Sequence, residues 1–466
     1  MDDDNSRELA ATAELDTPAR PTSVRWTMFA LSCGTSWFLY LHRYTWNFVG
    51  PQLQTEYGFN DTQIGTLGSL FNWTYGLGQI PSGLLSDFLG PHLLLGTMIV
   101  AWSLVLPCFG FSGRFIDVAA IRLAFGATQA TAYPALARVT HSWFPISSRT
   151  AVQGWVATFF GRSGGAMSSI LLGYVLMGAC GLSWRVSLSI MGLAGLMFGL
   201  AFLWLFRNSP EKHSGTNEAE CALIREGEAP ASADAPRVLP WRRVLKNRSM
   251  RFFVIQQITS AGADIVFSLF MGGYFLFAKK IDIAEAGLLV SLPLFGGAIG
   301  GMLGGYCNDW LISLTGNRRL ARTIVGFTGK SLACVLMFVA ISQDSARAAG
   351  IALFVVKFFS DWSQPTVWGT CTDLGGRYSA TVFSIINTSG TIGGVICPPL
   401  FGWILDLNSE RETVDGVTTI LSADYTPMFT VVAIMYIISA CCWLFIDCTD
   451  SLDRGEPSDG PEPPER

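Results

Sequence analysis

The segment from Trp26 to Val49 is apolar along most of its length, yet it carries the polar pair His42-Arg43. A transmembrane helix needs roughly 20 mainly apolar residues, so this segment predicts one. An arginine inside such a helix costs on the order of 2.5–3.5 kcal/mol on insertion scales and usually faces a water-filled cavity. Arg43 therefore either lines a substrate path or lies near the helix end, where its side chain reaches the interface.

Comparable apolar segments recur along the whole chain of 466 residues, of which 50% are hydrophobic and only 14% charged. The 49 glycines and 15 tryptophans are typical of helices that pack closely in lipid and of indole rings at the membrane interface. We predict an all-α polytopic membrane protein with 12 transmembrane helices. Their spans lie near 24–49, 62–86, 91–111, 115–137, 150–176, 185–206, 250–277, 284–310, 321–342, 348–370, 379–405 and 425–446.

Polar stretches divide the chain into tails, bundles and a linker. We expect a disordered cytoplasmic tail at 1–23, an N-terminal six-helix bundle at 24–206, a cytoplasmic linker at 207–249, a C-terminal six-helix bundle at 250–446 and a disordered acidic, Pro-rich tail at 447–466. Basic residues of the loops concentrate on the side that holds both termini. The positive-inside rule therefore predicts that both termini are cytoplasmic.

The two halves of the chain repeat each other. A loop that begins with glycine ends in Asp87 in the first half and in Asp309 in the second. Four glycines of the fifth span have counterparts in the eleventh span, and the two members of every pair are the same number of residues apart. Gly161, Gly164, Gly165 and Gly173 correspond to Gly390, Gly393, Gly394 and Gly402. Two six-helix bundles in a parallel repeat form a transporter architecture, with the binding site between the halves near the middle of the membrane.

Several classes of function have no support in the sequence. The 4 histidines are scattered and the 11 cysteines lack metal-ligand spacing, so we expect no metal and no other cofactor. A nucleophile–base set and a nucleotide-binding loop are both missing, which argues against an enzyme and against an ATP-driven pump. A basic patch typical of nucleic-acid binding is missing too. The expected partners are the lipid bilayer and a small molecule, and the expected state is a monomer.

Short motifs in the chain are similar to those of the major facilitator superfamily: the Gly83-to-Asp87 loop, its repeat at Gly305-to-Asp309, and Arg122-Leu-Ala-Phe-Gly126. Longer stretches resemble, more narrowly, the anion:cation symporter family: Phe71-Asn72-Trp73-Thr74-Tyr75, Gln79-Ile80-Pro81-Ser82-Gly83, Trp143-Phe144-Pro145, Gly161-Arg162-Ser163-Gly164-Gly165-Ala166 and Gly375-Gly376-Arg377-Tyr378. That family includes bacterial hexuronate and galactonate transporters and animal vesicular glutamate and sialic acid transporters. The resemblance covers nearly the whole chain and implies the 12-helix fold of the superfamily.

Two departures from the family pattern bear on coupling. The family's first helix carries an Asp-Arg pair where this chain has His42-Arg43, and its fourth helix carries a Glu-Ala pair where this chain has Gln129-Ala130. The family's proton symport relies on those carboxylates, whereas an amide takes up no proton at physiological pH. We therefore predict that transport is not obligatorily proton-driven. His42 is either a replacement pH-sensitive group, because imidazole titrates near physiological pH, or a polar residue without a coupling role.

The candidate substrate residues combine a cation with neutral polar groups. Arg43 supplies a planar charged fork that suits a carboxylate. The resemblance implies substrate-binding roles for Tyr75, Gln79 and Asn387, whose hydroxyl and amide groups suit sugar hydroxyls. For each of these three residues the alternative is a hydrogen bond that serves helix packing.

Further candidates lie on other spans. Trp368 and Trp73 are candidates for a stacking wall, with interface anchoring as the alternative. Arg162 is a second intramembrane cation, which contacts either the substrate or a partner within the bundle. Asp87 and Asp309 are candidate gating latches that pair with loop arginines and helix N-termini in one conformation.

Four further ionisable residues lie inside predicted spans. Lys357 and Asp361 are four residues apart, hence on one helix face, where they can neutralise each other. Asp264 has no obvious local partner and is the best remaining candidate for a titrating carboxylate. Lys330 is expected to extend towards the interface.

The leading hypothesis is a secondary active or facilitative transporter of a small organic anion. The substrate is most simply a sugar acid of the hexuronate or aldonate kind, carried by alternating access across the cell (inner) membrane, with Arg43 holding its carboxylate. The alternative is a transporter-derived sensor or accessory membrane protein that binds a ligand without moving it. Flux measurements distinguish the two, because a sensor binds ligand but shows no counterflow in vesicles.

Overall fold

A computed structural model describes residues 20–111, 113–226, 244, 246–376, 379–414, 417–450 and 452 of the protein. Three predicted regions therefore lie wholly or partly outside the described residues: most of both tails and the middle of the linker. The residues Arg377 and Tyr378 of the glycine-rich motif at 375–378 lie outside them too.

Helices make up nearly all of the described chain, and each predicted span overlaps at least one of them. The α-helices of the first part are α1 (Val24–Arg43), α2 (Trp46–Tyr57), α3 (Asp61–Leu89), α4 (Pro91–Val105), α5 (Phe115–Gln129), α6 (Ala132–Trp143), α7 (Ile146–Gly154), α8 (Gly161–Ser169), α9 (Trp184–Leu205) and α10 (Glu218–Arg225). Those of the second part are α11 (Arg248–Leu269), α12 (Met271–Gly273), α13 (Ile283–Thr315), α14 (Arg318–Ile341), α15 (Ala346–Trp362), α16 (Gln364–Gly375), α17 (Ser379–Leu407) and α18 (Thr426–Trp443). Shorter 3-10 or π segments are Leu106–Phe111, Trp155–Phe160, Ile170–Ala179, Pro210–Lys212 and Tyr274–Ala278.

Seven helical segments of the described chain are long and apolar enough to cross a membrane by length and composition. They are Pro91–Phe111, Trp184–Leu205, Arg248–Leu269, Ile283–Thr315, Arg318–Ile341, Thr381–Leu407 and Thr426–Trp443. The other predicted spans are broken into shorter helices or carry more polar residues. The predicted number of 12 spans and the cytoplasmic side of the termini stay predictions.

Local sequence explains where several long helices begin. The side chain of Asn60 accepts a hydrogen bond from the Gln63 amide (2.7 Å), and the side chain of Gln63 accepts one from the Asn60 amide (3.0 Å), which forms a capping box at the start of α3. Asp282 accepts bonds from the amides of Ala284 (2.9 Å) and Glu285 (3.0 Å) at the start of α13. These caps satisfy backbone donors that a helix start otherwise leaves without partners.

A β-hairpin interrupts the helical pattern near the end of the chain. Strands β1 (Ser409–Val414) and β2 (Val417–Ala423) are antiparallel, with a register irregularity between Glu410 and Arg411. No strand was predicted for this connection between the spans 379–405 and 425–446, so the hairpin is an unpredicted addition to the all-α fold. Alternating β-branched residues favour the extended conformation here.

Two long seams join the halves of the chain. Helix α3 packs along α17, and α13 packs along α8 and the segment Ile170–Ala179. Both seams require glycine: a Cβ at Gly65 would overlap the carbonyl oxygen of Pro398, and one at Gly287 would overlap the backbone of Tyr174. We call the side on which α1 and α11 begin the terminal face, and the other side the opposite face. Both glycines lie towards the opposite face.

The seam between α3 and α17 ends before the terminal face. A Cβ at Gly76 would overlap Thr391 of α17, whereas one at Gly83, two turns further on the same side of α3, would meet no atom within 4 Å. A Cβ at Gly154, near the start of the helical run at 146–179, would also meet none. The glycine contacts between the halves thus lie towards the opposite face, and none is made at Gly83 or Gly154.

The described parts of the tail and the linker are bound to each other. The carboxylate of Glu220 in α10 accepts hydrogen bonds from the Thr22 hydroxyl (2.5 Å) and from the amides of Val24 (3.2 Å) and Arg25 (3.0 Å). Its side chain is fully buried, and the Arg25 guanidinium lies 3.2 Å away. A residue of the linker therefore caps the N-terminus of α1.

An aspartate of the second half caps a helix of the first half at the opposite face. Asp406, in the last turn of α17, accepts hydrogen bonds from the amides of Asp61 (2.8 Å) and Thr62 (2.8 Å) and from the Thr62 hydroxyl (2.5 Å). Loss of a helix cap costs about 0.5–2 kcal/mol. We expect Asp406→Ala to raise the population that is open at this face by about 2- to 30-fold.

This prediction is checked by maleimide labelling of Ser69→Cys, a position buried in the seam between α3 and α17. The background has serine at the exposed Cys108, Cys180 and Cys441. Asp424→Ala is the matched control, since Asp424 caps Thr426 within its own half at 2.9 Å. Equal labelling rates in the two aspartate variants would contradict the gating role of Asp406.

Candidate binding site

Arg43 ends α1 inside a cage of aromatic rings. Its guanidinium carbon lies 5.1 Å from the ring centre of Tyr40, 5.0 Å from that of Phe71 and 4.5 Å from that of Tyr75. Its Nε donates a hydrogen bond to Oε1 of Gln129 (3.1 Å). The rings stabilise the cation through their negative faces without neutralising its charge.

One nitrogen of Arg43 has no acceptor among the described residues. Nη2 is buried and lacks a hydrogen-bond partner in that part of the chain. A buried donor without a partner costs about 1–3 kcal/mol, and more when it is charged. The position therefore favours an incoming anion.

Gln129 fixes the guanidinium but leaves its charge in place. Its side chain is fully buried, and Nε2 donates to the carbonyl oxygen of Leu39 (3.4 Å) while Oε1 accepts from Arg43. A carboxylate at this position would form an ion pair with Arg43. The amide provides the acceptor without the negative charge.

Arg122 adds a second cation beside the same cage. Its guanidinium lies 4.1 Å from the ring centre of Trp46 and 4.9 Å from that of Phe71, and its Nε donates to the carbonyl oxygen of Leu67 (3.0 Å). The side chain is buried. The sequence indicated Arg122 only as part of a motif, and its position beside the cage was not predicted.

His42 lies outside this cage. Its ring is fully buried, Nε2 is 3.1 Å from the carbonyl oxygen of Met191, and a Cβ at Gly195 would overlap the ring. Neighbouring helix residues point about 100° apart, so His42 faces α9 while Arg43 faces the cage. The hypothesis of a pH-sensitive group exposed to the substrate finds no support in this position.

The predicted sugar-binding residues lie on the seam between α3 and α17. Nδ2 of Asn387 donates to Oε1 of Gln79 (3.0 Å), so these two residues bind each other across the halves. Tyr75 lies over Arg43, one turn away from Gln79. The ring of Trp368 packs on Phe383 with 4.7 Å between ring centres.

Trp73 has 50% of its surface exposed and is not part of the aromatic cage around Arg43. On a transmembrane helix such an exposed indole is typical of a lipid-facing position. Its proposed role as a stacking wall finds no support in this position.

An ion cluster lies where the second half meets Arg162. The Arg162 Nη2 is 3.1 Å from Oδ2 of Asp361 and 3.8 Å from Oδ2 of Asp264. Lys357 Nζ donates to Asp264 (2.8 Å) and to Asp361 (2.6 Å). The pairing of Lys357 with Asp361 is as the sequence predicted, but Asp264 also has partners, which come from three other helices: α8, α15 and α18.

Lys330 belongs to the same cluster and does not reach the interface. The side chain is buried, Nζ donates to the Ser360 hydroxyl (3.1 Å) and lies 5.3 Å from the ring centre of Tyr436. Tyr436 and Ser360 both donate to Asp264 (3.3 Å each). The expectation that Lys330 extends to the interface is therefore wrong.

The structure describes the side chain of only one of the two predicted latch residues, Asp309. Asp309 accepts a hydrogen bond from the side chain of Asn308 (3.1 Å), and the side chain of Asp87 lies outside the described residues. A stronger pair at the terminal face went unpredicted. The Arg322 guanidinium binds Asp373 Oδ2 through Nε and Nη2, both at 2.7 Å.

Comparison with known protein families identifies the superfamily of the chain. The model of the Major Facilitator Superfamily matches residues 31–398. The chain belongs to the major facilitator superfamily. As predicted, it is a transporter-type protein and not an enzyme, and it is a multi-pass protein of the inner membrane.

Three individual proteins are similar to this chain over most of its length. A probable sulfoacetate transporter of Cupriavidus necator is 28% identical over 418 residues, which are 87% of this chain and 95% of that protein. A probable galactarate/D-glucarate transporter of Bacillus subtilis is 30% identical, over 84% of this chain and 88% of that protein. A probable L-galactonate transporter of Escherichia coli is 26% identical, over 79% and 80%. The predicted resemblance to hexuronate and galactonate transporters is confirmed.

A solved structure supports the fold. A bacterial homolog of the human lysosomal transporter Spinster, in an inward-facing and unoccupied conformation, superposes with a TM-score of 0.67 at 14% identity. The match covers 91% of this chain and 95% of that chain.

Proposed function

We propose that the protein transports a small organic anion, most simply a sugar acid, by alternating access between its two halves. Arg43 binds a carboxylate of the substrate, and the seam between α3 and α17 contacts the rest of the molecule. The names of the similar proteins support this class, because sulfoacetate, galactarate, D-glucarate and L-galactonate are all small organic anions.

The unpaired Nη2 of Arg43 carries the proposal. An arginine held in an aromatic cage by a neutral amide keeps its full charge and one free edge of its planar fork. A carboxylate satisfies that edge with charge-assisted hydrogen bonds, which are about twice as strong as neutral ones. A neutral sugar offers no comparable counter-charge.

The same site supports transport that is not obligatorily proton-driven. Gln129 takes up no proton at physiological pH, and His42 lies against α9 instead of the cage. Asp264 forms ion pairs with Lys357 (2.8 Å) and Arg162 (3.8 Å). Among the described residues of the cage, no carboxylate competes with the substrate for Arg43.

A thermal-shift screen of the purified protein tests the proposal. Ligand that binds only the folded state raises the apparent stability by mass action. We expect stabilisation by sugar acids and none by the corresponding neutral alditols. Equal shifts with acid and alditol would refute the anion site. Counterflow of the stabilising acid in vesicles then distinguishes a transporter from a sensor, which binds but exchanges nothing.

A variant of Gln129 tests the coupling part of the proposal. In Gln129→Glu the new carboxylate pairs with Arg43 at neutral pH and competes with the substrate, so we expect uptake at pH 7.5 to fall at least about tenfold. Protonation of this carboxyl at lower pH releases Arg43, so uptake by the variant rises as the pH falls. The wild type changes much less over the same range.

Gln129→Asn is the matched control, since it shortens the side chain but stays neutral. Uptake is measured in vesicles from pH 5 to pH 8, with the membrane potential and the pH gradient both collapsed. Identical pH profiles for Gln129→Glu and the wild type would show that residue 129 does not govern the charge at Arg43.

A further inference from the structure

Positive charge exceeds negative charge around the cage and the ion cluster. The cations there are Arg43, Arg122, Arg162, Lys330 and Lys357, and the carboxylates that the ion cluster contributes are Asp264 and Asp361. An uncompensated charge in a low-dielectric interior costs several kcal/mol. A bound anion is the simplest compensation.

The excess lies in two separate places. In the first half, Arg43 and Arg122 are within reach of the same ring of Phe71, and neither has a carboxylate partner among the described residues. In the ion cluster, Arg162 and two lysines outnumber the two aspartates by one charge. Each place therefore retains positive charge of its own.

Arg162 is the cation of the cluster whose side chain is partly exposed. Its side chain keeps 18% of its surface exposed, whereas Lys357 keeps 0% and Asp361 3%. Within the described chain, its contacts to both aspartates are made through Nη2. The rest of the fork is left for another acceptor.

A pair of stacked tyrosine rings connects the two places. Tyr40 and Tyr44 have ring centres 5.9 Å apart, and Arg43 lies 5.1 Å from the centre of Tyr40. On the other side, a Cβ at Gly165, three residues after Arg162 and so on the same helix face, would be 3.2 Å from the Tyr44 ring. The two arginines thus border one aromatic wall.

We infer that the substrate is a small dianion with an anionic group at each end, one bound by Arg43 and the other by Arg162. This inference rests on the proposed transport of an organic anion and names its charge class. Binding of a dianion supplies one negative charge to each place, whereas a monoanion supplies a charge to only one of them.

Matched acids that differ at one end test the inference. Glucarate and gluconate share a carbon skeleton, and so do galactarate and galactonate; the second member of each pair has a hydroxymethyl group in place of one carboxylate. Dissociation constants are measured on the purified full chain at pH 7.5. We expect at least about tenfold tighter binding of the dianion in the wild type.

Arg162→Gln removes the charge but keeps hydrogen-bond donors. It should weaken binding of the dianion about tenfold and leave the monoanion unchanged, so that the preference disappears. Arg162→Lys retains the charge and should retain the preference. Arg347→Gln is the matched control, because Arg347 pairs with Glu285 (2.7 Å) at an exposed site.

The outcomes separate this inference from the function on which it rests. Equal affinity for glucarate and gluconate in the wild type would overturn the dianion inference and leave the anion transporter intact, even if Arg162→Gln fails to fold. An equal loss of both acids in Arg162→Gln would overturn it too. Binding of the neutral alditol as tightly as either acid would overturn the proposed function itself.

Discussion

Arg43→Ala is expected to lower the affinity for the substrate anion by about 30- to 1,000-fold, with transport lost in proportion. Truncating one partner of a buried, hydrogen-bonded charge pair costs about 2–4 kcal/mol, and each 1.4 kcal/mol is a factor of ten. The variant also removes the contacts with the rings of Tyr40 and Tyr75. Because Arg43 has no ion-pair partner among the described residues, no carboxylate of the cage is left unpaired.

The control variants separate charge from geometry. Arg43→Lys keeps the charge but loses the planar fork, so we expect a smaller loss of about tenfold. Arg347→Ala removes an arginine that is 80% exposed at the side chain and should change nothing. The measurements are ligand-dependent thermal shift and uptake into vesicles. Undiminished uptake by Arg43→Ala would eliminate Arg43 as the carboxylate-binding residue.

The parts of the site that lie on one helix were predictable from the sequence. The setting of Arg43 follows from an arginine in a span of otherwise apolar residues, and the Lys357–Asp361 pair follows from the four-residue spacing of one helix face. The orientation of His42 was not predictable, because two neighbouring residues of a helix reach different surroundings. Only the packing of α9 against α1 decides which of them faces the cage.

Contacts between distant helices were the part that the sequence could not supply. Asp264 has no charged neighbour on its own helix, yet Lys357 is 93 positions away in the chain and bonds to it at 2.8 Å. Asp406 caps α3 from 345 positions away. No periodicity links such residues. The hairpin β1–β2 was missed for another reason, since its short β-branched strands lie in a connection between two strongly apolar helices.

The ion cluster contains both a pair on one helix and contacts between distant helices. We expect substitutions in this cluster to change stability strongly. Asp361 is the residue on which the cluster depends, because it contacts both Arg162 and Lys357 and its side chain is only 3% exposed. In Asp361→Asn the three cations of the cluster face Asp264 alone. Removing one partner of a buried ion pair costs about 3–5 kcal/mol, and we expect a loss of stability of that size.

A second substitution tests whether charge balance is the cause. Adding Lys357→Met to Asp361→Asn leaves Arg162 and Lys330 with Asp264, which restores the excess of one positive charge found in the wild type. The double variant should therefore be more stable than Asp361→Asn by about 1–3 kcal/mol, a coupling that independent sites would not show. Apparent melting temperatures of the purified proteins, without ligand, give the comparison.

Asp373→Asn is the matched control for these variants, because Asp373 forms an equally short pair with Arg322 (2.7 Å) but is 16% exposed at the side chain. Water reaches this partly exposed pair and screens the arginine that is left, so we expect a loss of about 1 kcal/mol. If Asp361→Asn were no more destabilising than Asp373→Asn, the cluster would be a solvated group of charges. The excess positive charge at Arg162 would then be screened by water, and the cavity would need no second anionic group from its substrate.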